Sequence, residues 1–95
     1  MSEERIMTLH PDEGKSGVNI SKQKYDDMRS AILKALEEDD EPTFNDLGDS
    51  VGRQLEGHFD GSIGWYYTTV KLDLEARGII ERVKGSRPQR IRLVK

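Results

Sequence analysis

Val70-Lys71-Leu72-Asp73-Leu74-Glu75-Ala76-Arg77-Gly78-Ile79-Ile80-Glu81-Arg82 is the stretch that decides the fold. Its first half continues a helical repeat. Ile63, Tyr66, Val70 and Leu74 stand at i, i+3, i+7 and i+11, one face of a 3.6-residue helix. Gly78 supplies the left-handed position that stops such a helix. The β-branched pair Ile79-Ile80 then opens a strand, so helix gives way to sheet within two residues.

The same four offsets occur twice upstream. Tyr25, Met28, Ile32 and Leu36 predict one helix, and Phe44, Leu47, Val51 and Leu55 predict another. Ser21, Thr43 and Ser62 stand where N-caps are needed, and Asp46 three residues after Thr43 completes a start resembling a capping box. The acidic run Glu37–Glu41 followed by Pro42 ends the first helix. Gly48 and Gly52 lie one turn apart in the second, which points to close approach of another backbone there or to a short, frayed helix.

Downstream, Ile79 to Lys84 and the alternating Arg90-Ile91-Arg92-Leu93-Val94 flank turn formers from Gly85 to Gln89, a β-hairpin pattern. Near the N-terminus, Ile6–Leu9 and Val18–Ile20 are short strand candidates around a polar, glycine-bearing loop. The expected fold is therefore α+β and mainly α, with a strand and loop extension over residues 1–20 and a three-helix-plus-hairpin unit over 21–95.

Helix, helix, tight turn, helix, glycine and hairpin is the element order of a winged helix-turn-helix domain. The quoted stretch, with Leu-Glu-x-Arg-Gly-Ile-Ile ahead of a basic hairpin, resembles that of many winged-helix transcription regulators. Gly64-Trp65-Tyr66-Tyr67 with Val70–Gly78, together with Pro88-Gln89-Arg90, is similar to a small family of uncharacterised bacterial winged-helix proteins. The resemblance implies duplex DNA as partner, with the third helix toward the major groove and the basic wing on phosphates.

Charge is divided unevenly along the chain. Residues 1–60 carry 7 Lys/Arg against 15 Asp/Glu, and residues 61–95 carry 8 against 3, so −8 and +5 make up the net −3. From Arg82 to Lys95 the basic residues are Arg82, Lys84, Arg87, Arg90, Arg92 and Lys95, with no acid among them. Lys84, Arg87, Arg90 and Arg92 are the candidate phosphate contacts. Such charges also protect a hairpin edge from pairing, or meet an acidic protein. On the third helix, Thr68, Thr69 and Lys71 are the candidate groove residues, a set poor in the Arg, Asn and Gln that usually read bases.

Trp65, Thr69, Leu72 and Ala76 fall opposite the core stripe, so the third helix is apolar on two sides. Trp65 and Leu72 are candidates for an interface; cover by the N-terminal strands, a homodimer or protein partner, and contact with DNA all remain open. Tyr66 belongs to the core stripe, and Tyr67 to the core or its boundary.

Other functions find little footing. With no cysteine and two separated histidines, His10 and His58, neither a metal centre nor a nucleophilic triad can be assembled. Gly14-Lys15-Ser16 lacks the earlier glycine of a phosphate loop, and the run Glu37–Glu41 lacks calcium-loop spacing. No catalytic residue, cofactor or small-molecule substrate is expected. The sequence holds no apolar run long enough for a membrane and no leader-like segment, which makes the cytoplasm the expected location.

Overall fold

The computed structural model describes residues 4–94. Strands β1 (Arg5–Met7) and β2 (Asn19–Ser21) form an antiparallel pair with Ile6 opposite Ile20. Helices α1 (Lys22–Glu38), α2 (Phe44–Leu55) and α3 (Ile63–Ala76) follow, and strands β3 (Ile80–Arg82) and β4 (Ile91–Leu93) pair antiparallel with Glu81 opposite Arg92. The result is a mainly helical α+β fold with two small sheets, as the periodicities predict.

The anticipated caps are in place. The hydroxyls of Ser21, Thr43 and Ser62 accept from the amides of Lys24 (3.4 Å), Asp46 (3.1 Å) and Trp65 (3.2 Å). Each satisfies one of the orphan donors that a helix start exposes. Gly78, at φ +74°, ends α3, and the Ile79 amide returns to the Leu74 carbonyl.

Met28, Ile32 and Leu36 of α1 meet Leu47 and Val51 of α2 and Val70 and Leu74 of α3, all essentially fully buried. Ile80 and Ile91 close this core from the hairpin side. Removal of these apolar side chains from water is the main favourable term for a fold of this size. Strand β4 is gripped on both edges. Beyond its pairing with β3, Ile91 donates to the Pro42 carbonyl, Phe44 donates to the Gln89 carbonyl, and Thr43 bridges Arg90. The α1–α2 connection thus lies along the hairpin as a third short strip of chain.

Two expectations shift within α3 and α2. Tyr67, not Tyr66, is the buried aromatic of α3, and Tyr66 and Ile63 are half-buried at the margin of the core. Gly48 makes room for a side chain, not for a second backbone. A β-carbon there would lie 2.9 Å from the ring of Tyr67, whereas nothing lies near Gly52. That ring stacks on Phe44 with centroids 5.0 Å apart, and its hydroxyl donates to the Phe44 carbonyl at 2.7 Å. Burial pushes the Tyr67 phenol well above its ordinary pKa.

Candidate docking face on helix α3

Helix α3 sends its apolar side into the core and carries a buried polar network on each flank. On one flank, Lys71 is only 4% exposed. Its ammonium lies 2.7 Å from Glu75 Oε1, donates to Gln89 Oε1 at 3.1 Å, and sits 5.3 Å from the ring centre of Phe44. Glu75 also accepts two bonds from the Arg82 guanidinium, at 3.1 and 3.2 Å. Burial lowers the Lys71 pKa against the opposing pull of Glu75. The expectation that Lys71 approaches a groove is therefore corrected: its charge is spent inside the protein, fastening the hairpin to α3.

On the other flank stands Asp73, fully buried. It accepts the Leu9 amide at 2.8 Å, both its oxygens take Arg77 Nε at 3.0 and 2.9 Å, and the Tyr25 hydroxyl donates to it. Burial, and then the hydrogen bond to Asp73, push the Tyr25 phenol up to about 12. One carboxylate thus ties together the N-terminal arm, α1 and α3. Past Leu9 the chain runs by the last turns of α3, and Pro11 and Asp12 line a shallow cleft with Glu75, Ile80, Glu81 and Arg82. The nearby Asp12 carboxylate is among the influences raising the Arg82 pKa, after the Glu75 hydrogen bond. Sequence reading did not single out Asp73; the signal was its i, i+4 spacing to Arg77, repeated by Lys71 and Glu75.

Between these flanks lies the outward side of α3: Gly64, Trp65, Thr68, Thr69, Leu72 and Ala76. Gly64, Trp65 and Thr68 are exposed, and Thr69, Leu72 and Ala76 half-buried. Trp65 is 47% exposed. Its indole is nonetheless braced, meeting the Tyr66 ring edge-on at 4.8 Å, and Tyr66 in turn meets Phe59 at 5.2 Å. Of the two interface candidates, Trp65 stands open, while Leu72 lies at the end of the helix that the arm passes.

The hairpin cations divide into two groups. Arg92 donates to Glu81 at 2.6 Å and reaches Glu41 at 3.6 Å, so it is clamped between carboxylates. The hydrogen bond to Glu81 holds its pKa up. Within residues 82–94 there is indeed no acid, but the fold brings acids from β3 and from the α1–α2 connection, which corrects the expectation of a free cation at Arg92. Arg90 donates to the Glu41 carbonyl at 2.7 Å, and among the described residues it has no ion pair. Lys84 and Arg87 are exposed, and the described residues give them no ion pair. Lys95 and residues 1–3 lie outside the described residues.

No three His, Cys, Asp or Glu side chains among the described residues are grouped so as to hold a metal ion. No described helix is long and apolar enough to cross a membrane. Residues 5–91 match DUF6958, a family of unknown function, and the chain belongs to that family. No curated protein and no solved structure matches it.

Proposed function

We propose that this DUF6958 member is a winged-helix binding module, not an enzyme, that docks a protein through the outward side of α3. The winged-helix reading is supported by element order and by the isolated bridge and hydrogen bonds that lay Pro42–Thr43 along the edge of β4 away from β3. The observation that carries the docking reading is the chemistry of the exposed helix face. Trp65, Thr68, Thr69 and Leu72 offer no charge and no long polar group, and the one lysine of the helix points into the fold. A braced, half-exposed tryptophan is the type of anchor that dominates protein interfaces.

A second reading keeps duplex DNA as partner, favoured by Lys84, Arg87 and Arg90 at the hairpin tip, which have no carboxylate partner among the described residues. These three cations suit phosphates without base reading. Fluorescence anisotropy of a labelled duplex at two salt concentrations tests both. On the docking reading, duplex binding is weak and indifferent to sequence. It is lost on Arg87→Ala with Arg90→Ala, unchanged by Trp65→Ala, and has a logarithmic salt slope no steeper than about −3, one phosphate per free cation. Tight, sequence-selective binding that collapses on Thr68→Ala or Thr69→Ala would place α3 in the groove and overturn the docking reading.

A further inference from the structure

We infer that the N-terminal arm is an autoinhibitory strap: Leu9–Asp12 crosses the outward side of α3 over Ala76 and Leu72 and, while closed, bars the helix from a nucleic-acid groove. The path follows from where the strap is fastened. At one end the Leu9 amide is held by Asp73, on the flank of α3 that also meets Tyr25 of α1. At the other end Pro11 and Asp12 share a cleft with Glu75, Ile80, Glu81 and Arg82, on the flank nearest the hairpin. At about 100° per residue the order around the helix is Asp73, Ala76, Leu72, Glu75, so the fastenings stand on either side of Ala76 and Leu72.

Two routes could join them, across those residues or around the end of the helix, and burial decides between the two. Arg77 and Gly78 at the helix end are exposed, whereas Ala76 and Leu72 are half-buried. Earlier on the same side, where no strap passes, Gly64, Trp65 and Thr68 are exposed. Three extended residues reach about 10 Å, the width of one helix, which suits a direct crossing. The neck of the strap is closed by Thr8, which is 1% exposed. Its amide donates to the Val18 carbonyl at 2.8 Å, and its hydroxyl accepts the Val18 amide at 2.8 Å. A β-carbon at Gly17 would collide with the Thr8 carbonyl, so glycine is what lets the neck shut. Within the crossing, the Asp12 amide donates to His10 Nδ1 at 3.1 Å. A helix with side chains, about 10–12 Å across, already fills a major groove about 12 Å wide. No room is left for a second strip of chain, and the strap adds the exposed carboxylates Asp12 and Glu13 where phosphates would come close. The docking reading does not depend on the strap, since Trp65 is open with the strap closed.

Because the chain has no cysteine, a single introduced thiol reports the cover. The Ala76→Cys chain should react with a maleimide about tenfold more slowly than the Thr68→Cys chain. Leu9→Pro removes the amide that Asp73 holds without altering any charge. It should speed labelling of Ala76→Cys about tenfold, the factor a hydrogen bond to a carboxylate is worth. Leu9→Ala keeps that amide and should change the rate little. Asp12→Lys, which sets a cation against Arg82, should open the strap by its other end, and circular dichroism checks that each variant keeps its helices. In the duplex anisotropy assay at low salt, Leu9→Pro should bind about tenfold more tightly than wild type, and adding Thr68→Glu should cancel the gain. Equal labelling of the Ala76→Cys and Thr68→Cys chains would show that nothing crosses α3. Faster labelling in Leu9→Pro with no gain in duplex binding would show a cover that inhibits nothing. Either result overturns the strap.

Discussion

Replacing Asp73 with alanine should release the N-terminal arm and cost a large part of the stability of the fold. The side chain is fully buried and serves the Leu9 amide, the Tyr25 hydroxyl and Arg77 together. Its loss leaves the hydroxyl of Tyr25, a residue only 5% exposed, without its partner. An unsatisfied buried group of that kind costs about 1–3 kcal/mol. Arg77 is one-third exposed and turns to water, so the ion pair itself adds little. The Leu9 amide lies at an exposed residue and is also rehydrated. With the lost packing, the expected destabilisation is about 2–4 kcal/mol. A domain of this length has roughly 5–14 kcal/mol in total. The melting temperature should then fall by roughly 10–30 °C. Urea unfolding followed by circular dichroism measures the loss, and hydrogen exchange at Leu9 reports the arm directly. Adding Tyr25→Phe removes the stranded hydroxyl, so the double variant should lose less than the sum of the two single ones, by about 1 kcal/mol or more. A cost below about 1 kcal/mol for Asp73→Ala, or strict additivity with Tyr25→Phe, would refute the role assigned to this carboxylate.

Glu75→Ala strands the Lys71 ammonium in a buried site and should cost about 3 kcal/mol, whereas Lys71→Met leaves Glu75 with Arg82 and should stay within about 1 kcal/mol of wild type, both read from urea midpoints. Gly52→Ala meets open space in a helix and should gain about 0.5–1 kcal/mol; Gly48→Ala meets the anchored ring of Tyr67 at 2.9 Å and should lose stability, a contrast that thermal melts of the pair will show. The high pKa of Tyr25 means that between its ordinary value of 10 and about 12 the folded chain holds a proton that the unfolded chain has lost. Stability from this group is complete below pH 10 and is lost as pH rises toward 12, by about 2–3 kcal/mol. Lys71, with its pKa lowered, works the other way below its ordinary 10.5, so its contribution rises with pH up to there. Stability measured as a function of pH should fall above pH 10. Tyr25→Phe should make that fall shallower without abolishing it, since Tyr67 is raised in the same direction.

Repeating patterns made the helices, their caps and the hairpin legible in the residues. Offsets of three, four and four fix an apolar stripe wherever it is folded, and Ser21, Thr43 and Ser62 act within three residues of themselves. The fate of polar side chains was less legible, because burial depends on elements distant in the chain. Lys71 is a surface residue by type, and Gln89 and Phe44, arriving with the hairpin and the start of α2, receive it inside the fold. Arg92 looked uncompensated because its carboxylate partners, Glu81 and Glu41, sit on other strips of chain. Tyr66 sits further out than its place in the core stripe predicts for a related reason. The ideal wheel puts both near the core, and the notch at Gly48 together with the stack on Phe44 admits Tyr67. The uncharged outward side of α3, by contrast, could be read directly from its spacing.

The grip of β4 by β3 on one edge and by Pro42–Thr43 on the other has a consequence for how the chain matures. The central strip of that arrangement is made after all three helices, and it carries Ile91, which is fully buried. During synthesis, then, the helices must wait with the cap of their core missing. Hydrophobic surface left open at this stage is what makes partly made chains prone to aggregation. Closure also joins segments far apart in sequence, a slow kind of contact to form.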